Sequence, residues 1–168
     1  MNSYQPLNEN EFGKLVEKYF SALTLFARRW APDVAEDVAQ TTFLKLLKHG
    51  LNKGMPDNIA AWLFQTAKRT AIDESRKVFR FRRFCRRYQE DVDTLFEESP
   101  ETVVYGREIS ERLKTLPEEA RQIVLLRIWG NLSFEEIATV VGIPKTSVFR
   151  EYTRALEVLR TFAKVGDQ

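Results

Sequence analysis

Between Ser133 and Ala163 the sequence spells two helices joined by a turn too short to let them part, and this constrains the chain more than any other stretch. Ser133 followed by Glu136 is a capping box, in which hydroxyl and carboxylate each accept a bond from a backbone N–H that a helix start leaves unsatisfied. Gly142 ends the first helix, and Pro144 opens a longer one, where its missing N–H costs little. Ile137, Ala138, Val141, Ile143, Val148, Ala155 and Leu156 recur at helical spacing and bring the two helices together at a steep angle, with Ala138 allowing close approach. A helix, tight turn and helix is the arrangement that lays its second helix in the DNA major groove.

The same pattern also describes an ordinary helical hairpin, and the exposed side chains separate the two readings. With Val148, Ala155 and Leu159 facing inward, the outer face of the last helix carries Lys145, Thr146, Ser147, Phe149, Arg150, Thr153 and Arg154. Arginine can pair with guanine O6 and N7 together, whereas Lys, Ser and Thr can hold phosphates at the helix start. Glu151 is discordant there: it either faces solvent or neutralises Arg150 or Arg154.

Helix signals fill the remainder, and strand signals are nearly absent. Asn8 with Glu11, Asp33 with Glu36 and Thr115 with Glu118 read as further capping boxes, and Asp57 as the cap of another helix. The first helix sets Phe12, Leu15, Val16, Tyr19, Phe20, Leu23 and Phe26 on one face and ends near Trp30, before Pro32. The second carries Val34, Val38, Thr42 or Phe43, Leu46 and Leu47 and gives way to a polar loop from Gly50 to Asn58. The third runs through Ile59, Trp62, Leu63, Thr66, Ala67 and Ile72. Helices without strands or internal repeats predict an all-α fold.

Charge divides these helices into two groups. Residues 1–89 hold 16 basic and 9 acidic side chains, and residues 90–168 hold 10 and 15. The change of sign is abrupt: seven Arg or Lys and no acid from Arg76 to Gln89, then six acids and no base from Glu90 to Gly106. The acidic stretch, with Ser99-Pro100 and few aliphatic positions, reads as a solvated connector. Two small domains are expected, 1–89 and 107–168, joined by a linker at 90–106.

Composition removes much enzyme chemistry. One cysteine, Cys85, and one histidine, His49, make neither a disulfide nor a Cys/His zinc cluster, and any Ser-His or Cys-His pair would need His49 itself. Glu36, Asp37, Asp73 and Glu74 sit at helix starts or beside Lys and Arg, so capping and solvation account for them. No catalytic activity and no cofactor or metal are expected. No apolar run approaches the roughly 20 residues that span a bilayer, and the N-terminus is polar, so the expectation is a cytoplasmic protein without membrane insertion.

Three stretches, in this order and spacing, carry a resemblance: AEDVAQTTFLKLLK (35–48), NIAAWLFQTAKRTAIDESRK (58–77) and LPEEARQIVLLRIWGNLSFEEIATVVGIPKTSVFREYTRALEVLR (116–160). The chain resembles the extracytoplasmic-function (ECF) group of sigma-70-type sigma factors, minimal initiation factors that keep only the second and fourth conserved regions. The resemblance implies binding to core RNA polymerase, through its beta-prime clamp and beta flap, and to promoter DNA. An anti-sigma factor is a further implied partner, and the free chain is expected to be a monomer. It places Asp37, Gln40, Phe43 and Leu44 at the clamp, although Phe43 and Leu44 read as well as helix core. His49 to Asn58, including Asn52 and Lys53, matches a loop that captures a flipped −10 base. Lys45, Phe64 and Arg69 line or flank that pocket, and the chain departs from the usual pattern at Arg69, where Asn is common. Phe149 and Glu151 likewise replace the basic-Ser-Arg run of the recognition helix.

Physical chemistry supports strand binding without the family. Holding a melted strand takes cations along the backbone, planar groups for stacking and a pocket for an extruded base. Residues 62–88 interleave Trp62, Phe64, Phe79, Phe81, Phe84 and Tyr88 with Lys68, Arg69, Arg76, Lys77 and five further arginines. Phe81, Phe84 or Cys85, and Tyr88 also form an apolar stripe, expected to pack on the C-terminal domain or on an inhibitory partner. A second reading remains: a dimeric helix-turn-helix regulator that binds a palindromic site without polymerase, where the sigma reading calls for a monomer and an asymmetric site.

Overall fold

The computed structural model describes the backbone of residues 8–88 and 113–165, with side chains over 8–84 and 113–161. The described residues form six α-helices and no strand: α1 (Glu9–Ala27), α2 (Ala35–Lys53), α3 (Ile59–Tyr88), α4 (Glu118–Ile128), α5 (Phe134–Val141) and α6 (Lys145–Val165). A short 3-10 turn, Pro32–Val34, leads into α2.

Two of the expected capping boxes form. Glu11 N–H donates to Asn8 Oδ1 at 2.8 Å and Asn8 N–H to Glu11 Oε2 at 3.1 Å, and Ser133 with Glu136 does the same at α5. The others do not. Pro32 draws the chain into the 3-10 turn, so α2 starts after Val34 with no side-chain cap. Asn58 rather than Asp57 caps α3, its Oδ1 accepting from Ala61 N–H at 2.9 Å. Pro117, not Thr115, precedes the first residue of α4, which has no side-chain cap.

Helix lengths differ from expectation in the same local way. Helix α1 stops at Ala27, three residues before Trp30. Helix α2 runs on through Gly50 to Lys53 and ends at Gly54, whose φ of 81° leaves the right-handed region and suits a residue without Cβ. Gly142 ends α5 similarly, at φ 84°, its N–H donating to Ala138 O at 2.8 Å. Helix α3 continues to Tyr88 without a break.

Helices α1, α2 and α3 pack as a bundle on their aromatic faces. The Phe43 ring meets Phe12 edge-on at 5.9 Å and lies nearly parallel to Phe20 at 6.5 Å, while Phe26 meets Phe64 edge-on at 5.2 Å. Leu23, Leu46 and Leu63 fill the interior and are fully buried, each worth roughly 1.5–3 kcal/mol relative to exposure. Helices α4, α5 and α6 form the second unit, with α5 and α6 the two arms of the helix-turn-helix.

The two units do not keep separate cores. Ile123, Leu126, Leu132, Ile137, Val140 and Val148 of the second join the apolar cluster of α1–α3, and only a smaller group around Leu116, Val124 and Ala155 lies apart. Gly130 sits at the seam: a Cβ there would fall 3.1 Å from the Phe64 ring and 2.5 Å from Leu126 O, so no larger residue fits without movement. The residues expected to form the linker, 90–106, lie outside the described residues.

Candidate nucleic-acid interface

Helix α6 enters the site with its reading face in solvent. Its buried side is set by Val148 and Ala155, both almost fully covered, which leaves Lys145, Thr146, Phe149, Arg150, Thr153 and Arg154 exposed and Ser147 half-buried. Glu151 pairs with the helix's own cations: its Oε1 lies 3.5 Å from Arg150 Nε and 3.3 Å from Arg154 Nη1. Lys145 pairs with Glu135 across the turn, and that contact holds the Glu135 carboxyl below its ordinary value. Phe149 stands 55% exposed, edge-on to Phe134 at 5.4 Å, and so offers an apolar surface where a polar contact is usual.

A second cationic surface lies between α2 and α3. A groove of about 460 Å³ is lined by Thr41 and Lys45 of α2 and by Thr70, Asp73, Glu74, Arg76, Lys77 and Arg80 of α3. Lys45 Nζ donates to Thr70 Oγ1 at 2.8 Å and ties the walls together. Arg76 and Lys77 are exposed and pair one turn away, Arg76 with Asp73 at 3.7 Å and Lys77 with Glu74 at 2.6 Å, and such surface pairs are worth at most about 1 kcal/mol. Phosphate oxygens can replace these partners. Arg69 is exposed on the same helix, and Asn52 and Lys53 are exposed on the last turn of α2, where Asn52 Nδ2 donates to Lys48 O at 2.8 Å. The connection at this end therefore spans 54–58, shorter than the loop expected from His49.

Three expected contact residues are placed otherwise. Phe43 and Phe64 are core residues, 5% and 0% exposed, and offer a partner no surface in this arrangement. The resemblance placed both at contacts, whereas the helical spacing of Phe43 already fitted a core position. Lys68 is half-buried, and its Nζ donates to Val140 O at 2.7 Å and Val141 O at 3.1 Å, the last carbonyls of α5. Burial, with a smaller contribution from Arg29, holds the Lys68 ammonium below its ordinary pKa.

Two pairs whose joining the sequence did not foretell tie the two units beside Lys68. Arg29 Nη1 donates to Gln122 Oε1 at 3.0 Å, and Asn58 Nδ2 donates to Glu136 Oε1. No periodic signal marks them, because each pair is far apart in the chain. In the apolar stripe, Phe81 and Phe84 are 67% and 60% exposed. The side chains of Cys85 and Tyr88 lie outside those described.

On α2, Asp37, Gln40 and Leu44 fall on one exposed face at spacings of three and four, with Leu44 58% exposed. Among the described residues, no group of three or more His, Cys, Asp or Glu side chains is placed to hold a metal ion. None of the described helices is long and apolar enough to cross a membrane.

A helix-turn-helix with an exposed arginine face, beside a helical bundle with a cationic groove of its own, is the architecture of a DNA-binding protein. Comparison with known proteins agrees for both units. Residues 15–81 match sigma-70 region 2, and residues 106–159 match sigma-70 region 4. The RNA polymerase sigma-H factor of Pseudomonas aeruginosa is 30% identical over 172 residues, covering 90% of this chain and 86% of its own. The ECF RNA polymerase sigma-E factor of Escherichia coli K12 is 27% identical over 171 residues, with the same coverage of 90% and 86%. A solved structure of the sigma factor RpoE in complex with the anti-sigma factor NepR, from Bartonella quintana, shares the fold. Its TM-score is 0.59 at 22% identity, over 93% of this chain and 98% of that one. The chain belongs to the sigma-70 family of RNA polymerase sigma factors, in the ECF group. It is an initiation factor that directs core RNA polymerase to specific promoters.

Proposed function

We propose that the exposed face of α2, carried by Asp37, Gln40 and Leu44, docks on the polymerase clamp, and that the groove between α2 and α3 holds the melted −10 strand. In that groove Lys45, Arg76 and Lys77 neutralise phosphates, and Arg69 of α3 with Asn52 and Lys53 of the last turn of α2 extend the strand-binding surface outside it. The α6 face binds −35 duplex: Arg150 and Arg154 reach base edges, Lys145, Thr146, Ser147 and Thr153 hold phosphates, and Phe149 meets a thymine methyl. The observation that carries this reading is the pairing of exposed α6 arginines with a cationic groove on the other unit of the same chain. Duplex and single strand thus have one surface each.

Neither surface need bind tightly alone. Tethering both to one polymerase raises the effective concentration of the second contact, which makes recognition conditional on core enzyme. The chain contributes binding and positioning, and the nucleotidyl chemistry belongs to the polymerase. An anti-sigma factor, such as the Bartonella protein binds, is a further proposed partner.

The test is co-elution of the full chain with core RNA polymerase on a sizing column. Stoichiometric binding by the wild type, lost in Asp37→Arg and reduced in Gln40→Ala, is the expected result. A chain that ignores the polymerase and runs as a dimer on duplex DNA would overturn the reading in favour of an ordinary helix-turn-helix regulator.

A further inference from the structure

We infer that Phe149 makes this chain a reader of the pyrimidine C5-methyl group: at one position of the −35 duplex it selects thymine by its methyl, and a 5-methylcytosine meets the same requirement. The inference rests on the reading of α6 as the −35 helix and names what that helix selects. Phe149 stands in the second turn of α6, 55% exposed, between a buried Val148 and an exposed Arg150. It is an apolar ring set among the cations of the reading face, and not an isolated surface residue.

The ring is held in the free chain. Phe134, the first residue of α5, meets Phe149 at 5.4 Å with the rings 88° apart, and meets Tyr152 at 5.5 Å. Phe149 and Tyr152 are three residues apart on α6, so both pack on Phe134 from one side of the helix. Arg127 Cζ lies 5.0 Å from the Phe134 ring centre, and Arg127 Nη1 donates to Leu132 O at 2.7 Å, which fixes the guanidinium. Side chains from α4, α5 and α6 thus keep Phe149 in place, and a contact made by a fixed side chain loses less entropy on binding.

The major-groove edges of the bases decide what such a ring can select. Adenine, guanine and cytosine present hydrogen-bond donors and acceptors there, whereas thymine adds the C5-methyl to its O4. Phe149 has neither donor nor acceptor. Over cytosine it would strip water from the N4 amine, and over a purine from N7, with no hydrogen bond in exchange. Over thymine it covers an apolar group whose removal from water is favourable. A methyl at C5 of cytosine puts the same group in the same groove, so one surface takes either source. Arg150 and Arg154, exposed beside Phe149, can select guanine, and the face then joins a methyl reader to two guanine readers.

The test uses holoenzyme assembled from the full chain and core RNA polymerase. Selection from duplexes randomised across the −35 and −10 windows gives a preferred promoter, whose −35 thymines are then replaced by deoxyuridine one at a time. Each replacement removes a methyl and keeps the base pairing. In a second series the sensitive T·A pair becomes C·G, with cytosine or with 5-methylcytosine. Phe149→Ala removes the reader. Phe134→Leu removes the ring that positions it, and Phe134→Tyr keeps a ring there.

Expected for the wild type is a −35 position at which uracil weakens binding about fourfold, as for one buried methyl group, with about the same gain from methylating cytosine there. Phe149→Ala should bind thymine and uracil alike at that position and keep its affinity for core polymerase. Phe134→Leu should lose most of the discrimination with its helical content unchanged, and Phe134→Tyr should keep it. Uracil accepted at every −35 position, 5-methylcytosine bound no better than cytosine, or discrimination surviving Phe149→Ala would overturn the inference. So would loss of core polymerase by Phe149→Ala, which would make the ring a protein contact. Discrimination that survives Phe134→Leu would remove the positioning role of Phe134. Arg154→Ala separates failure of this inference from failure of the reading beneath it. If that variant no longer prefers the selected −35 window, α6 stands as the −35 helix; if it selects the same window, both readings fall.

Discussion

Ser133 and Glu136 complete each other's hydrogen bonding: Glu136 N–H donates to Ser133 Oγ at 3.2 Å, and Ser133 N–H donates to Glu136 Oε2 at 2.7 Å. The pair fixes where α5 begins, and α5 with Gly142 sets the angle at which α6 leaves the turn. Replacing Ser133 by Ala removes one acceptor at the helix start and is expected to cost about 1 kcal/mol. Thermal denaturation would show a lower Tm, with a parallel loss of duplex affinity.

The same pair gives the fold a dependence on acid. Bonds from the Ser133 backbone N–H, then from its hydroxyl, then from Asn58, hold the Glu136 carboxyl below its ordinary 4.5. A carboxyl whose folded pKa is depressed contributes stability that is fully present above the unfolded value and lost as pH falls through the folded one. The wild type should therefore exceed Glu136→Gln in stability at neutral pH, and the difference should shrink as pH falls below the ordinary carboxyl range and through the depressed folded value. Urea unfolding of both proteins across that range measures it.

Adjacent residues on α2 should respond in opposite ways. Phe43 lies between Phe12 and Phe20, so Phe43→Ala should lose about 3–5 kcal/mol of stability. Leu44 is 58% exposed, and Leu44→Ala should change stability by less than about 0.5 kcal/mol. Its effect should fall on polymerase binding, weakened on the order of tenfold. Chemical denaturation and polymerase titration on the same two variants separate the roles.

On α6, Glu151 holds Arg150 and Arg154 in the absence of DNA. Glu151→Gln should free both for the duplex, raise affinity about three- to tenfold at low salt, and steepen the salt dependence by up to about one phosphate contact. Anisotropy titrations at several salt concentrations would report both numbers.

Arg154 and Lys145 should fail differently. Arg154→Ala should relax sequence preference and cost about 1–3 kcal/mol on the preferred −35 site, whereas Lys145→Ala should weaken all duplexes about equally. Competition with a randomised −35 library distinguishes loss of reading from loss of grip.

Much of the architecture is legible in short windows because its causes are local. A capping box needs only residues three apart, and Asn8 with Glu11 and Ser133 with Glu136 both form. Apolar faces such as Phe12 to Phe26 repeat every turn. The boxes that fail do so where a proline intervenes: Pro32 between Ala31 and Asp33 imposes a 3-10 turn, and Pro117 displaces Thr115 from the start of α4. The site is less legible. Periodicity marks Phe43 and Leu44 alike as apolar helix positions, and only packing buries the first and exposes the second.

By itself the sequence determined that the chain is helical, where α1 and α5 start and where α5 stops, that two groups of helices differ in charge, and that α6 turns an arginine face outward. Each of these follows from residues within a few turns of one another. Tertiary structure alone decided that Ile123, Leu126 and Val140 share a core with Phe64, and that Lys68 spends its donors on Val140 and Val141. An apolar face or a free ammonium states only that it needs a partner. Which partner it finds, about 70 residues away in sequence, depends on how the units meet, and that depends on the three-dimensional packing of both units.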